Sequence, residues 1–177
     1  MANSVKSISE FFDGNDTYKM PLYQRTYCWR TIKELKQFKT DIEEVWEAAT
    51  NNENTENFLG AIILQELKEP GVGRGKTFNV IDGQQRLTTL YFMLLASADY
   101  AKERGWHKYS DKIRDEYIVH TKKRFKGNVK IYPTNHDRKQ FNQIISLSDI
   151  SGINKISNAS GGNKDGEMIA AYTFLKT

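Results

Sequence analysis

The chain has 177 residues, enough to bury the core of one domain. Its 38% hydrophobic and 27% charged residues are ordinary soluble globular composition, and a net charge of +4 is too small to establish a nucleic-acid partner by itself. Its single cysteine, Cys28, excludes an intrachain disulfide and fits a reducing compartment. Met1-Ala2-Asn3-Ser4 carries no apolar signal-peptide core, and no apolar run approaches membrane-spanning length. The expectation is a cytoplasmic protein with no membrane association.

Residues 5–12 read as a short helix with Ile8, Phe11 and Phe12 on one side, followed by the turn cluster Asp13-Gly14-Asn15-Asp16. Tyr18 to Tyr23 reads as extended chain, because Pro21 opposes a helix. Thr31-x-x-Glu34 has the form of a capping box, opening a helix that runs to about Asn51. Ile32, Leu35, Phe38, Ile42, Val45 and Ala49 give that helix one apolar face. The run Phe58 to Leu64 predicts a buried strand, and the alternation in Thr77 to Ile81 a second one. Between them, Pro70 to Lys76 reads as a hairpin loop. It is a poor phosphate loop, since a strand rather than a helix follows it.

A long helix opens after Ile81, with Leu87, Leu90, Tyr91, Leu94 and Leu95 buried, and stops at Gly105. A further helix is expected over Asp111 to Phe125 with Ser110 as its cap and Gly127 beyond its end. A short strand follows at Val129 to Tyr132, then a helix from Asp137 to Leu147. The Ser/Asn/Gly-rich residues 148–166 read as a flexible loop or linker. Helical spacing resumes through Met168, Ala171, Tyr172 and Leu175, which points to the front part of a longer protein. The domain division is thus 1–147, a linker at 148–166, and the start of a further helix at 167–177.

Chemistry concentrates where a strand meets a helix, at Asp82-Gly83-Gln84-Gln85-Arg86. Gly83 permits a tight turn. The first free amides of the new helix, at the positive end of its dipole, favour a phosphate. Arg86 can grip a phosphate with two parallel hydrogen bonds, and Asp82 can hold Mg2+. Gln84 and Gln85 could position a water or read a base edge, as a glutamine does in other phosphoryl-transfer sites. The alternative is structural: Asp82-x-x-Gln85 is itself a capping box.

Met20 to Trp29 forms a second constellation of aromatic rings, guanidinium and amide, suited to stacking on bases and contacting phosphate. Its bland reading is an N-terminal segment that buries Tyr and Trp, with Cys28 as a small buried hydrophobe. A third feature is the basic stretch from Val119 to Lys139. Lys122, Lys123, Arg124, Lys126, Lys130, Arg138 and Lys139 are opposed only by Asp137. Such a stripe neutralises phosphates or is a solvated face. His107, His120 and His136 lack metal-ligand spacing and read as surface or half-buried residues.

Three segments occur in fixed order: Pro21-Leu22-Tyr23-Gln24-Arg25-Thr26-Tyr27-Cys28-Trp29, then Phe58 to Leu64, then Val80-Ile81-Asp82-Gly83-Gln84-Gln85-Arg86-Leu87-Thr88-Thr89-Leu90. Together they closely resemble the N-terminal domain of GmrSD-type, modification-dependent restriction enzymes. Ile131-Tyr132-Pro133 with Asp137 and Phe141 resembles a later segment of that family. The resemblance covers about residues 5 to 147. It implies an α+β fold of ParB/sulfiredoxin-like type, a small mixed sheet surrounded by helices, with a helical C-terminal part.

The resemblance also implies binding and hydrolysis of a nucleoside triphosphate with Mg2+. Asp82, Gln84, Gln85 and Arg86 would be catalytic, and Asp82 the magnesium ligand. Gly83, Thr88, Gln24 and Arg25 would lie against the nucleotide. Pro21, Tyr23, Gln24 and Arg25 would sense a DNA modification, with Lys122, Lys123, Arg124 and Lys126 on the DNA backbone. The implied partners are DNA, possibly modified, and a C-terminal HNH-type nuclease domain or subunit. No HNH-like pattern of paired histidines occurs in this chain, so it is not expected to cut DNA alone. The competing expectation is a non-catalytic DNA- or partner-binding module that keeps the motif as scaffold.

Overall fold

The computed structural model describes residues 5–12, 14–53, 58–68, 75–156 and 166–177, apart from the side chain of Ile32. In chain order these form α1 (Ile8–Phe12), β1 (Thr17–Lys19), a π-helical turn (Thr31–Leu35), α2 (Lys36–Thr50), β2 (Ile63–Leu67) and β3 (Thr77–Asp82). There follow α3 (Gln84–Glu103), α4 (His107–Ile113), a π-helical turn (Arg114–Ile118), a 3-10 turn (Lys123–Phe125), β4 (Ile131–Tyr132), α5 (Arg138–Leu147) and α6 (Glu167–Lys176). The architecture is α+β, a mixed sheet among helices. The strand order is β2-β3-β1-β4, with β1 parallel to both β3 and β4, and β2 antiparallel to β3.

The core forms around α3. Thr88, Thr89, Tyr91, Phe92, Leu95, Ala98 and Asp99 of this helix are all buried, so its sides meet protein nearly all round. It packs on α4 and α6. Phe92 is the pivot of an aromatic cluster. Its ring centroid lies 6.1 Å from Tyr27, 6.0 Å from Phe141 and 6.3 Å from Tyr172. Edge-to-face and offset arrangements of this kind bring segments distant in sequence into one core. No helix among the described residues is long and apolar enough to cross a membrane.

Several local expectations are revised. The run from Phe58 to Leu64 is not a buried strand: regular pairing begins only at Ile63, and Phe58 is 76% exposed. β2 is an edge strand with one neighbour, and Gly60 breaks the run with φ +101. The proposed cap at Thr31 is displaced by one residue. Arg30 occupies the cap position, and its N–H donates to Glu34 Oε2 at 3.1 Å, with no side-chain cap from residue 31. Contact of α2 with the core is concentrated in its first half, at Phe38 and Ile42, while Trp46 is 71% exposed.

The helix expected from Asp111 starts earlier, at His107, and ends earlier, at Ile118. Ser110 is buried inside it rather than capping it. The chain leaves helical geometry at Val119 because that residue pairs with Val129. Residues 148–156 of the presumed linker are held against the core. Ile150 and Ile156 are buried, and Asn142 bonds the backbone of Ile156 through both its Oδ1 and its Nδ2. α6 belongs to the same body. Met168, Ala171 and Tyr172 are buried, and Tyr172 Oη donates to Asp99. Residues 157–165 of that linker, residues 70–74 of the expected hairpin loop, and Asp13 of the first turn lie outside the described residues. The antiparallel register Leu67↔Thr77 is the one a hairpin produces.

Candidate functional site

β3 ends at Asp82, and Gly83 turns the chain directly into α3 with φ +87. A Cβ at Gly83 would lie 2.9 Å from Ala61 O, so both the turn and the close approach require glycine. No side chain caps the helix. The capping-box alternative therefore fails. Asp82 is an exposed strand residue registered with Ile63, and Gln85 is turned to other partners. Leu87 N–H donates to Gly83 O at 3.0 Å, the first helical bond. The preceding amides of Gln84, Gln85 and Arg86 belong to the orphan donors of a helix start.

Those two glutamines do something composition did not indicate. Gln84 Nε2 donates to Arg25 O at 2.9 Å. Gln85 Nε2 donates to Thr26 O at 3.1 Å, while Gln85 Oε1 accepts from Cys28 N–H at 2.9 Å. Both glutamines are buried. Gln24 reciprocates from the irregular segment, its Nε2 donating to Ile81 O at 2.8 Å. The motif and the Pro21–Trp29 segment are thus laced together by side-chain amides bonded to backbone. A segment without ladder hydrogen bonds must satisfy its buried backbone groups in some such way.

Two further residues complete the fastening. Asp137 Oδ2 accepts from Tyr27 N–H at 3.0 Å and from Thr134 Oγ1 at 2.9 Å. Burial raises the Asp137 carboxyl above its usual range, while these two donors pull it back. Tyr27 Oη and Thr89 Oγ1 are 2.7 Å apart. Burial pushes the Tyr27 phenol up, so it stays protonated. Sequence reasoning did not assign these roles to Asp137 or Thr89, since each meets Tyr27 across 110 and 62 residues, and Thr134 takes part only through Asp137.

With its backbone fastened, the segment turns other side chains outward. Leu22 is 72% and Tyr23 73% exposed, Arg25 and Cys28 are exposed, and Pro21 is half-buried. Cys28 is therefore not the buried hydrophobe expected: it is the backbone N–H of Cys28, not its thiol, that the fold uses. Arg86 is half-buried rather than locked in the core. Its Nη1 donates to Ala61 O at 3.0 Å, and its guanidinium lies against Gly60. Of five guanidinium N–H donors this bond occupies one. Thr88, two residues further on, is buried.

The basic stretch divides. Lys122, Lys123, Arg124, Lys126 and Lys139 are exposed and Arg138 is half-buried, but Lys130 is buried. Its ammonium donates to Phe12 O at 2.7 Å, to Gly14 O at 3.0 Å and to Glu116 O, so Lys130 anchors the fold rather than joining the stripe. His120 also departs from expectation. It is 1% exposed, with Nε2 3.1 Å from Thr17 Oγ1, and burial followed by the Lys130 charge lowers it to about 4. His107 and His136 are exposed as expected. A cavity of about 430 Å3 near Glu10, Glu116 and Lys122 includes none of the Asp82–Arg86 residues. Among the described residues, no three His, Cys, Asp or Glu side chains are grouped to hold a metal.

The strand–glycine–helix junction and the segment laced to it occur in a chain whose residues 8–177 match the family model described as GmrSD restriction endonuclease, N-terminal domain. The chain belongs to this family. Its role accordingly lies in a restriction system. Comparison with curated proteins finds no match. The family match runs through α6, as does the core of this GmrSD-type domain.

Proposed function

We propose that this domain is the nucleoside-triphosphate-binding and hydrolysing sensor of a modification-dependent DNA restriction protein acting in phage defence, with the nuclease in a separate domain or subunit. The observation that carries the reading is the start of α3. It has no side-chain cap, exposed Asp82 precedes it, and Arg86 sits within its first turn. An uncapped helix start attracts an anion through both its amides and its dipole. The donor set fits a magnesium–triphosphate. Mg2+ is usually held by one or two carboxylates together with phosphates and waters, so Asp82 alone suffices on the protein side. The metal would supply neutralisation of phosphate charge. Arg86, held in place by Ala61 O, would grip the phosphates, and Tyr23 and Arg25 are fastened next to the junction through Gln24 and Gln84.

Gln84 and Gln85 take a positioning role in this reading: they hold the sensor segment in fixed relation to the nucleotide. Occupancy of the junction and of Tyr23–Arg25 by modified DNA would then be coupled through those amides.

One observation favours a second reading. Both ends of Gln85 are spent on backbone partners, as a motif retained purely as scaffold requires. The two readings separate in one experiment. Phosphate release is measured with each triphosphate and Mg2+, with modified and unmodified DNA, for the parent and for Arg86→Ala. The proposal expects turnover that Arg86→Ala abolishes while its circular dichroism and melting stay close to the parent's. Nucleotide binding without turnover favours the scaffold reading, and a melted Arg86→Ala protein shows that Arg86 is structural.

A further inference from the structure

Far from the junction, at the other end of α3, three aromatic side chains stand in solvent. Tyr100 is 46%, Trp106 55% and Tyr109 66% exposed. Sixteen residues of helix separate Gln84 from Tyr100, about 24 Å at 1.5 Å per residue. Every exposed large apolar side chain between residues 100 and 112 is aromatic. Tyr100 and Trp106 meet edge to face with centroids 6.2 Å apart, and the Arg104 guanidinium lies 5.0 Å from the Tyr100 ring centre. Trp106 and Tyr109 are three residues apart at the opening of α4 and joined by Tyr109 N–H donating to Trp106 O. This backbone bond fixes the two residues within one turn at the start of α4.

The charges around these rings decide what they suit. The acids in this stretch are already paired: Glu103 with Lys176 at 2.8 Å and Asp111 with Arg114 at 2.8 Å. Arg104 and Lys108 have no carboxylate partner among the described residues. The surface is therefore exposed rings bordered by cations that lack a carboxylate partner among the described residues. Such a surface presents π-faces to bases and positive charge to a phosphate backbone.

We infer that Tyr100, Arg104, Trp106, Lys108 and Tyr109 form a stacking platform for single-stranded nucleic acid, separate from the Asp82–Arg86 junction. Trp106 and Tyr109 take successive unpaired bases. Tyr100 holds the Arg104 plane, which with Lys108 meets the phosphates. A duplex hides its base faces and gains nothing from the rings.

The test uses the full chain and fluorescence anisotropy with a labelled oligothymidine 12-mer, compared with a duplex of the same length. The expected result is tighter binding of the single strand. Trp106→Ala/Tyr109→Ala should weaken it about tenfold or more, and Trp106→Phe should retain most of it. Arg104→Ala/Lys108→Ala should flatten its salt dependence. These residues are exposed, and circular dichroism verifies that each variant is folded. The inference is overturned if the single strand fails to bind, if the double aromatic variant binds it like the parent, or if that variant weakens duplex binding as much as single-strand binding. It is also overturned if the parent self-associates and that variant is monomeric, which would make the patch a protein interface. No nucleoside triphosphate enters the assay, so its outcome is independent of the triphosphatase proposal.

Discussion

Gln85 is bonded at both ends to the backbone around Tyr27: its Nε2 donates to Thr26 O, and its Oε1 accepts from Cys28 N–H. A buried carboxamide that satisfies a donor and an acceptor on another segment has no equivalent replacement. Gln85→Ala should cost about 2–4 kcal/mol, because it leaves both backbone groups unpaired. Asp82→Asn, on an exposed side chain two residues outside the helix, should stay within about 0.5 kcal/mol of the parent. Urea unfolding of the two variants measures the contrast. Equal midpoints would mean the lacing contributes nothing.

Gly60 supports Arg86 by having no side chain. A Cβ there would sit 2.7 Å from Arg86 Nε, on a residue with φ +101. Gly105 provides the control, since its φ is +76 and a Cβ would meet nothing within 4 Å. Both Gly→Ala changes carry the left-handed backbone penalty of about 1–2 kcal/mol. Only Gly60→Ala also displaces the guanidinium. The expectation is a clearly larger loss of nucleotide binding for Gly60→Ala than for Gly105→Ala, read by titration calorimetry with a non-hydrolysable triphosphate and Mg2+. Matching losses would sever Gly60 from the function of Arg86.

The parts of this fold visible in the sequence are those set by local pattern. The apolar face of α3, its stop at Gly105 and the strand before Gly83 follow from periodicity and backbone freedom alone. The family resemblance also rested on contiguous residues, and so it survived. What stayed hidden depends on partners far along the chain. Whether Phe58–Leu64 is buried is decided by its place at the sheet edge, which no window around it encodes. Lys130 shares the local pattern of its exposed neighbours, and only the distant carbonyls of Phe12, Gly14 and Glu116 set it apart. The same holds for the motif. Its residue types announce a phosphate site, but the commitment of Gln84 and Gln85 to residues 25–28 appears only when the two segments meet.

His120 should give the domain an acid-sensitive stability. Its imidazole is buried neutral at about 4, first through burial and then through the nearby Lys130 charge, against 6.5 for an unperturbed histidine. Between those values the unfolded chain binds a proton that the folded chain refuses. Stability is therefore full above about 6.5 and falls as pH drops toward 4, by at most about 3 kcal/mol. Asp137 acts in the opposite sense at the acid end, since burial raises its carboxyl and the folded state then holds the extra proton. Urea midpoints at pH 7, 5.5 and 4.5 trace the fall, and His120→Gln should flatten it. A parent whose midpoint is unchanged from pH 7 to 4.5 would refute the assignment.

Splitting the basic stretch into an exposed group and one anchor predicts two different phenotypes from the same residue type. Lys122, Lys123, Arg124 and Lys126 are exposed and free to meet a phosphate backbone. If they do so on duplex DNA, replacing all four with Ala should lower the slope of log affinity against log salt by about 3 to 4, at roughly 0.9 per phosphate contact. Thermal stability should hardly change, because exposed charges contribute little to folding. Lys130→Met should do the reverse. It strands carbonyls that now accept from a buried ammonium, each worth about 1–3 kcal/mol when unpaired, so the domain should unfold at markedly lower urea while any DNA contact in the surviving folded fraction keeps its salt slope. Anisotropy titrations on duplex DNA across a salt series, paired with urea melts, read both quantities. An unchanged slope in the fourfold variant would leave residues 122–126 as a solvated turn, and a stable Lys130→Met protein would mean that its carbonyl cage is dispensable.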